Sequence, residues 1–251
     1  MPWIKRGSKT EYLEFIRSID QKIKFEEETN TSICRTLFLR KDVDYDLDHA
    51  LKFADNEMKL GTIYSTYFLL PTAPYFDYSF DFKMKVRALI QMGFGVGLHN
   101  NYYYSYLKEN WDLQTLRDNI NRDLNFLREI DEHVDHTSCH GQREHYDMKF
   151  FNYQIWEEFD IEKNEGFKGA KPLLSLEEFK LSEVYFCGYT HYYSDSGGQW
   201  IGYEVDGQKP FERSAANSSN NLGTNVIKKF NECRVASLQV LTHPCHWEEV
   251  K

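Results

Sequence analysis

The chain lacks any cysteine-pairing pattern. Its five cysteines, Cys34, Cys139, Cys187, Cys233 and Cys245, are odd in number and none forms a CxxC step. A disulfide framework is therefore not expected, and reduced thiols in a cytosolic setting fit better. Long apolar runs are missing as well. Nothing approaches the roughly 20 apolar residues that a membrane-spanning helix needs. The stretch from Met1 to Lys9 is polar and basic with no apolar run behind it, so no secretory signal is read there. These absences predict a cytoplasmic protein that meets its substrate inside the cell. Glycine and proline are sparse, at 14 and 6 residues with no biased tract, which argues against long disordered segments. A basic excess is absent too: 30 Lys and Arg face 39 Asp and Glu, for a formal net charge of -9. That disfavours nucleic acid and anionic membranes as partners, because both demand a basic patch. No HExxH step occurs, so a metal site would have to be assembled from distant segments.

Aromatic residues are what the chain has in abundance, with 17 Tyr and 18 Phe. Many belong in the core, and surplus ring faces can stack on pyranose C–H surfaces. A chain of 251 residues fits a single domain, with a helical lead-in over residues 1–33 and the main unit over 34–251. In that unit strands alternate with amphipathic helices. Thr36 to Leu39 reads as a buried strand ending in the polar cluster Arg40–Asp44, followed by a helix from Leu47 that Gly61 stops. Ile63 to Leu70 is a second strand and Asp81 to Met92 a second helix. Gly95 to Leu98 is a strand running into His99. Asp112 to Glu132 is a long helix, and Val134 to Ser138 a strand running into His140. Later segments are less regular: a strand over Val184 to Tyr189, a loop over Ser194 to Ser219, a helix over Leu222 to Glu232, and a strand from Val235 to Leu241 leading to His243. Alternating strands and helices mean βαβ units and a mostly parallel sheet.

Four of these strands end in ionisable residues: Asp42 and Asp44, then His99, His140 and His243. In a parallel barrel all strand C-termini open on one rim, where active sites sit. Asp42 and Asp44 alternate around Val43, so both carboxylates can aim into one cleft. Such a pair can divide into a base and a metal ligand, although an N-cap and a surface acid are the plainer reading. His99 and His140 alone would read as satisfied core histidines. Together with a carboxylate they suit a divalent ion, zinc before nickel, cobalt or iron. His243, held before Pro244, can donate a proton to a leaving amine. Asp195, in a turn-rich loop, either orients a catalytic side chain or belongs to an exposed turn, and Trp200 either walls a substrate pocket or is part of that turn. Asn100 to Tyr104 is either a sugar-lining segment or a solvated aromatic loop. Trp247 reads as terminal packing.

Taken in order, Arg40–Lys41–Asp42–Val43–Asp44, Gly97–Leu98–His99, His140–Gly141 and Leu241–Thr242–His243–Pro244 resemble a divergent branch of the polysaccharide deacetylase family, the NodB-homology domain. The stretch Leu60 to Leu69 also resembles that branch, and coverage runs from about Thr36 to Trp247. The resemblance implies a distorted (β/α)7 barrel and a metal-dependent amide hydrolase that removes an acetyl or formyl group from an amino sugar of a surface-polysaccharide precursor. It implies Asp42 as general base, Asp44 and His99 as metal ligands, His243 as general acid and Asp195 as its support. Two positions depart from the family pattern. Tyr103 stands where the second metal histidine is usual, so His140 is expected to replace it. Lys41 stands where the branch carries His. Lys41, Tyr103 and Trp200 are expected to contact substrate. A deacetylase fold that only binds carbohydrate, or performs a different amide reaction, is the alternative these departures raise.

Overall fold

The computed structural model describes residues 36–61, 65–160, 166–186, 191–195, 201–206, 209–214 and 237–248, with short pieces at 7–8 and 17. The elements in chain order are β1 (Gly7–Ser8), β2 (Thr36–Val43), α1 (Leu47–Lys59), β3 (Ser65–Leu69), α2 (Phe80–Gln91), β4 (Gly95–Asn100), α3 (Tyr102–Glu109), α4 (Leu113–Arg128), β5 (His136–Cys139), α5 (Glu144–Met148), α6 (Leu176–Phe179), β6 (Ser182–Glu183), β7 (His191–Ser194), β8 (Ile201–Asp206), β9 (Lys209–Ser214), β10 (Ser237–Thr242) and β11 (Trp247–Glu248). The lead-in helix over 1–33 and the helix over Leu222 to Glu232 lie outside the described residues, apart from the strand residues of β1 and the helical Arg17.

The central sheet runs β6-β5-β4-β3-β2-β10-β7-β8-β9. From β6 to β7 every neighbour is parallel, and β7-β8-β9 then continues antiparallel. The parallel part is a curled half-barrel. Its curvature follows from contacts across it. β3 and β4 lie between β2 and β5, so a flat sheet would hold β2 and β5 about 14 Å apart. Yet Ser138 Oγ on β5 donates to Asp42 Oδ1 on β2 at 3.3 Å, and Arg40 reaches the Cys139 carbonyl at 3.5 Å. Among the described residues no ladder joins β6 to β9, so the sheet is an α/β half-barrel there rather than a closed one.

Strand alternation sorts the side chains into two faces. Val43, Tyr67, Leu69, Val96 and Leu98 face outward into a core shared with Leu47, Ala50 and Ala54 of α1, Val86 and Leu89 of α2, and Leu116, Ile120 and Leu124 of α4. Registered neighbours share a face, so Arg40 and Asp42 lie beside Thr66 and Phe68, which lie beside Gly95 and Gly97. The two glycines are required by the curl. A Cβ on Gly97 would meet the Phe68 ring at 2.5 Å and the His136 carbonyl at 3.0 Å.

Local signals set the helix ends. Asp46 caps α1, its Oδ1 accepting from the backbone of Asp48 and His49 at 2.9 and 3.1 Å, as N-cap carboxylates do. Gly61 and Gly93 take positive φ beyond α1 and α2, at 81° and 90°, the left-handed turn that favours glycine. Four expectations are corrected. β2 continues through Arg40, Lys41 and Asp42 because all three are buried between neighbours. The segment after β4 is helix α3, with Tyr102 and Tyr103 buried, not a loop. Val184–Phe186 is a 3-10 turn and the strand comes later, at β7. The segment read as a loop over 194–219 contains the β8–β9 hairpin.

Candidate metal centre

The C-terminal ends of β2, β4, β5 and β10 meet at one rim. Asp44 follows β2 and His99 lies in β4, with His99 Nε2 3.3 Å from Asp44 Oδ1. His140 follows β5, with its Nε2 3.9 Å from the same oxygen. The rings of His99 and His140 stand edge-on, centroids 5.2 Å apart. The ligand atoms of Asp44, His99 and His140 all lie within 4.8 Å of one another.

His99 is oriented for coordination. Its Nδ1 donates to the Ser138 carbonyl at 2.8 Å, which leaves Nε2 facing Asp44 Oδ1. Both atoms are buried, and neither has a hydrogen-bond partner of good geometry among the described residues. With the imidazole neutral these are two acceptors set against each other across 3.3 Å, an arrangement that a cation resolves, so the donor set fits a divalent ion held by one carboxylate and two imidazoles. The histidines at the rim hold Asp44 well below the usual carboxylate range, against the opposing effect of burial. Burial pushes His140 down to about 4, so it presents a neutral ring, the form that ligates.

Two charged pairs flank the centre. On one side Asp42 is buried and clasped by Arg40, Nε to Oδ1 at 2.8 Å and Nη2 to Oδ2 at 2.5 Å. Burial opposes its charge, but Arg40 and His99 overcome this and lower its pKa. Its Oδ2 lies 3.5 Å from His99 Nε2. On the other side Asp195 accepts from His243 Nδ1 at 2.5 Å, from the His243 backbone at 2.9 Å and from Trp247 Nε1 at 3.1 Å. Burial works against a charged His243, yet Asp195 holds its pKa up at about 9. His243 Nε2 then points back to Asp44 Oδ2 at 3.9 Å. A second cluster, Asp195, His243 and His246, also has metal-ligand spacing. Its carboxylate already accepts from His243 and Trp247, so it is built as a hydrogen-bonded support.

The expected Asp42, Asp44, Asp195, His99, His140 and His243 thus share one rim. Lys41 does not join them. Alternation turns it to the outer face, where its ammonium lies 3.1 Å from Glu57 Oε1 of α1, and Tyr67 donates to the other Glu57 oxygen at 2.9 Å. Tyr103 does not join them either. It is buried on α3, and its hydroxyl donates to the Lys171 carbonyl at 2.8 Å and accepts from the Lys171 backbone at 3.0 Å. Trp200 lies outside the described residues. Two site residues went unassigned from the sequence: Arg40, which holds Asp42, and Ser138, which holds both Asp42 and His99. Their signal was the inward parity they share with Asp42 and His140. Trp247 is buried packing, as read, and also a hydrogen-bond donor to Asp195. Among the described residues no helix is long and apolar enough to cross a membrane. No family model and no curated protein matches the chain.

Proposed function

We propose that this protein is a metal-dependent amide hydrolase of the polysaccharide-deacetylase kind, removing an acetyl or formyl group from an amino sugar or its activated precursor. One observation carries the reading: Asp44 Oδ1 and His99 Nε2, two buried atoms without a hydrogen-bond partner of good geometry among the described residues, face each other at 3.3 Å beside His140, with Asp42 and His243 close by.

Asp44, His99 and His140 would hold the ion, zinc being the first choice for an N2O donor set. Such an ion supplies Lewis-acid polarisation of a carbonyl and acidifies a water. The chain's own groups divide the proton work. Asp42, ionised and fixed by Arg40, accepts a proton from the attacking water. The Arg40 clasp costs it basicity but fixes its direction. His243 carries a proton on Nε2, the nitrogen facing the centre, because Asp195 occupies Nδ1. It delivers that proton to the departing amine. Acid and base are therefore separate groups, which an addition followed by an elimination can use in turn. The sugar and its acyl carrier belong to the proposal through the motif resemblance.

The test is release of acetate or formate from N-acyl amino sugars, free, nucleotide-linked and lipid-linked, by zinc- or cobalt-loaded protein. We expect turnover that His243→Gln lowers about 100- to 10,000-fold and that Asp44→Asn abolishes together with ion binding. Stoichiometric metal without turnover on any such amide would overturn the deacetylase reading. The alternative, a carbohydrate-binding protein, rested on Lys41 and Tyr103, and both are engaged away from the centre.

A further inference from the structure

His140 differs from His99 in how it is held. His99 is oriented through its ring, by Nδ1 on the Ser138 carbonyl. His140 Nδ1 has no hydrogen-bond partner among the described residues, so its ring direction is set through its backbone. That backbone is tied at both ends. Its N–H donates to the Asn100 carbonyl at 2.8 Å, and its carbonyl accepts from Asn152 Nδ2, also at 2.8 Å.

Asn152 is buried and belongs to neither histidine strand. Its carboxamide touches both. Nδ2 donates to the His140 carbonyl after β5 and to Asn101 Oδ1 after β4 at 2.8 Å, with His145 Nε2 3.1 Å away. Oδ1 accepts from the Tyr104 backbone in the first turn of α3 at 3.0 Å. One side chain therefore fastens the segment following His99 to the segment carrying His140. His145 closes the back of this clip, accepting from the Gln142 backbone at 3.4 Å and packing on Phe150 with ring centroids 4.8 Å apart.

We infer that Asn152 is a positioning residue for the metal centre, fixing the separation of His99 and His140 and so the affinity and geometry with which an ion is held. The inference rests on the metal reading above and deepens it. Outer groups that orient metal ligands typically change affinity by about 10- to 100-fold when removed. Asn152 removes itself from the chemistry because it faces no reacting atom. Its effect runs through the His140 main chain.

The experiment titrates the full chain with Co2+ alone, reading both affinity and the visible d–d spectrum. Asn152→Ala is expected to weaken Co2+ binding about 10- to 100-fold and to shift the spectrum, with one ion still bound per chain. Asn101→Ala, which removes one anchor of the clip, is expected to do the same to a smaller extent and serves should Asn152→Ala fail to fold. Asp123→Asn is the control. That carboxylate accepts from Tyr78, Tyr102 and Arg122 and bonds to no residue of the clip, and its loss should lower the melting temperature while leaving affinity and spectrum unchanged. Wild-type affinity and spectrum in the folded Asn152 variant would overturn the clip alone. Absence of Co2+ binding by the wild-type chain would overturn the metal reading and the clip with it. An Asp123→Asn spectrum altered as much as that of the Asn152 variant would reduce the clip to general stability.

Discussion

At the scale of single residues, direction matters more than identity. Lys41 and Asp42 are adjacent, both ionisable and both fully buried, yet alternation sends one to α1 and the other to the rim. The motif in the sequence made Lys41 look like part of the site, because a run of five residues shows no faces until its strand boundaries are known. Once β2 extends through Val43, parity alone assigns Asp42 inward and Lys41 outward. The pairing of Lys41 with Glu57 gives a prediction. Lys41→Met leaves a buried carboxylate without its cation, which typically costs about 3–5 kcal/mol. Urea unfolding should show that loss, and Lys41→Met with Glu57→Gln should recover most of it. Metal affinity should not move in either variant; a tenfold change would return Lys41 to the site. Tyr103 misled for the opposite reason. It sits where the deacetylases that the motifs resemble carry a histidine, but in the first turn of α3 a side chain four residues after His99 points into the helix packing against Phe150, and a tyrosine there satisfies its hydroxyl on the Lys171 backbone.

At the scale of elements, the legible parts are those with strong periodicity. α1, α2 and α4 emerge close to their expected bounds because apolar residues recur at helical spacing and glycines end two of them. β4, β5 and β10 were legible as strands running into histidines. α3 was not, because Tyr102 to Tyr106 mixes aromatic and polar character in a way that shows no apolar stripe. The β8–β9 hairpin was hidden because its flanks are rich in serine, asparagine and glycine, which read as loop. The strand alternation did reveal that β4 carries Gly95 and Gly97 beside an inward histidine, and the structure gives the cause: the curl presses Thr66 onto Gly95 and Phe68 onto Gly97. Gly97→Ala therefore overpacks the inner face. A loss of about 1–3 kcal/mol is expected, seen as a fall of about 2–4 °C in melting temperature per kcal/mol for a chain of this size. The Phe68→Leu background should relieve it, since the clashing atoms are the ring's own edge. A Gly97→Ala protein as stable as wild type would mean that the sheet is flatter than described.

At the scale of the whole molecule, four titrating groups among the described residues make stability vary with pH between 4 and 9 in the metal-free protein. Asp195 holds His243 at about 9 against its ordinary 6.5. The native state thus keeps a proton that the unfolded chain releases, and the stability this brings is complete below pH 6.5 and lost as pH rises through 9. Burial holds the Glu183 carboxyl at about 7 against an ordinary 4.5, so its contribution also declines with rising pH, between 4.5 and 7. His145 and His140 act in the other direction. Burial lowers them to about 3 and about 4 from 6.5, so acidification charges them in the unfolded chain first and stability falls as pH drops below 6.5. Each group is worth on the order of 3 kcal/mol. Below pH 6.5 the two histidines outweigh the one carboxyl, and above it Glu183 and then His243 both decline. Stability should therefore peak near pH 6.5 and fall by about 3 kcal/mol or more toward pH 9. Urea midpoints collected from pH 4 to 9 read this directly, and His243→Gln should flatten the alkaline limb between 7 and 9 while leaving the acid limb in place. Stability that stays level across that limb in the wild-type chain would mean that Asp195 does not hold a proton on His243, and the assignment of His243 as the acid would lose its electrostatic basis.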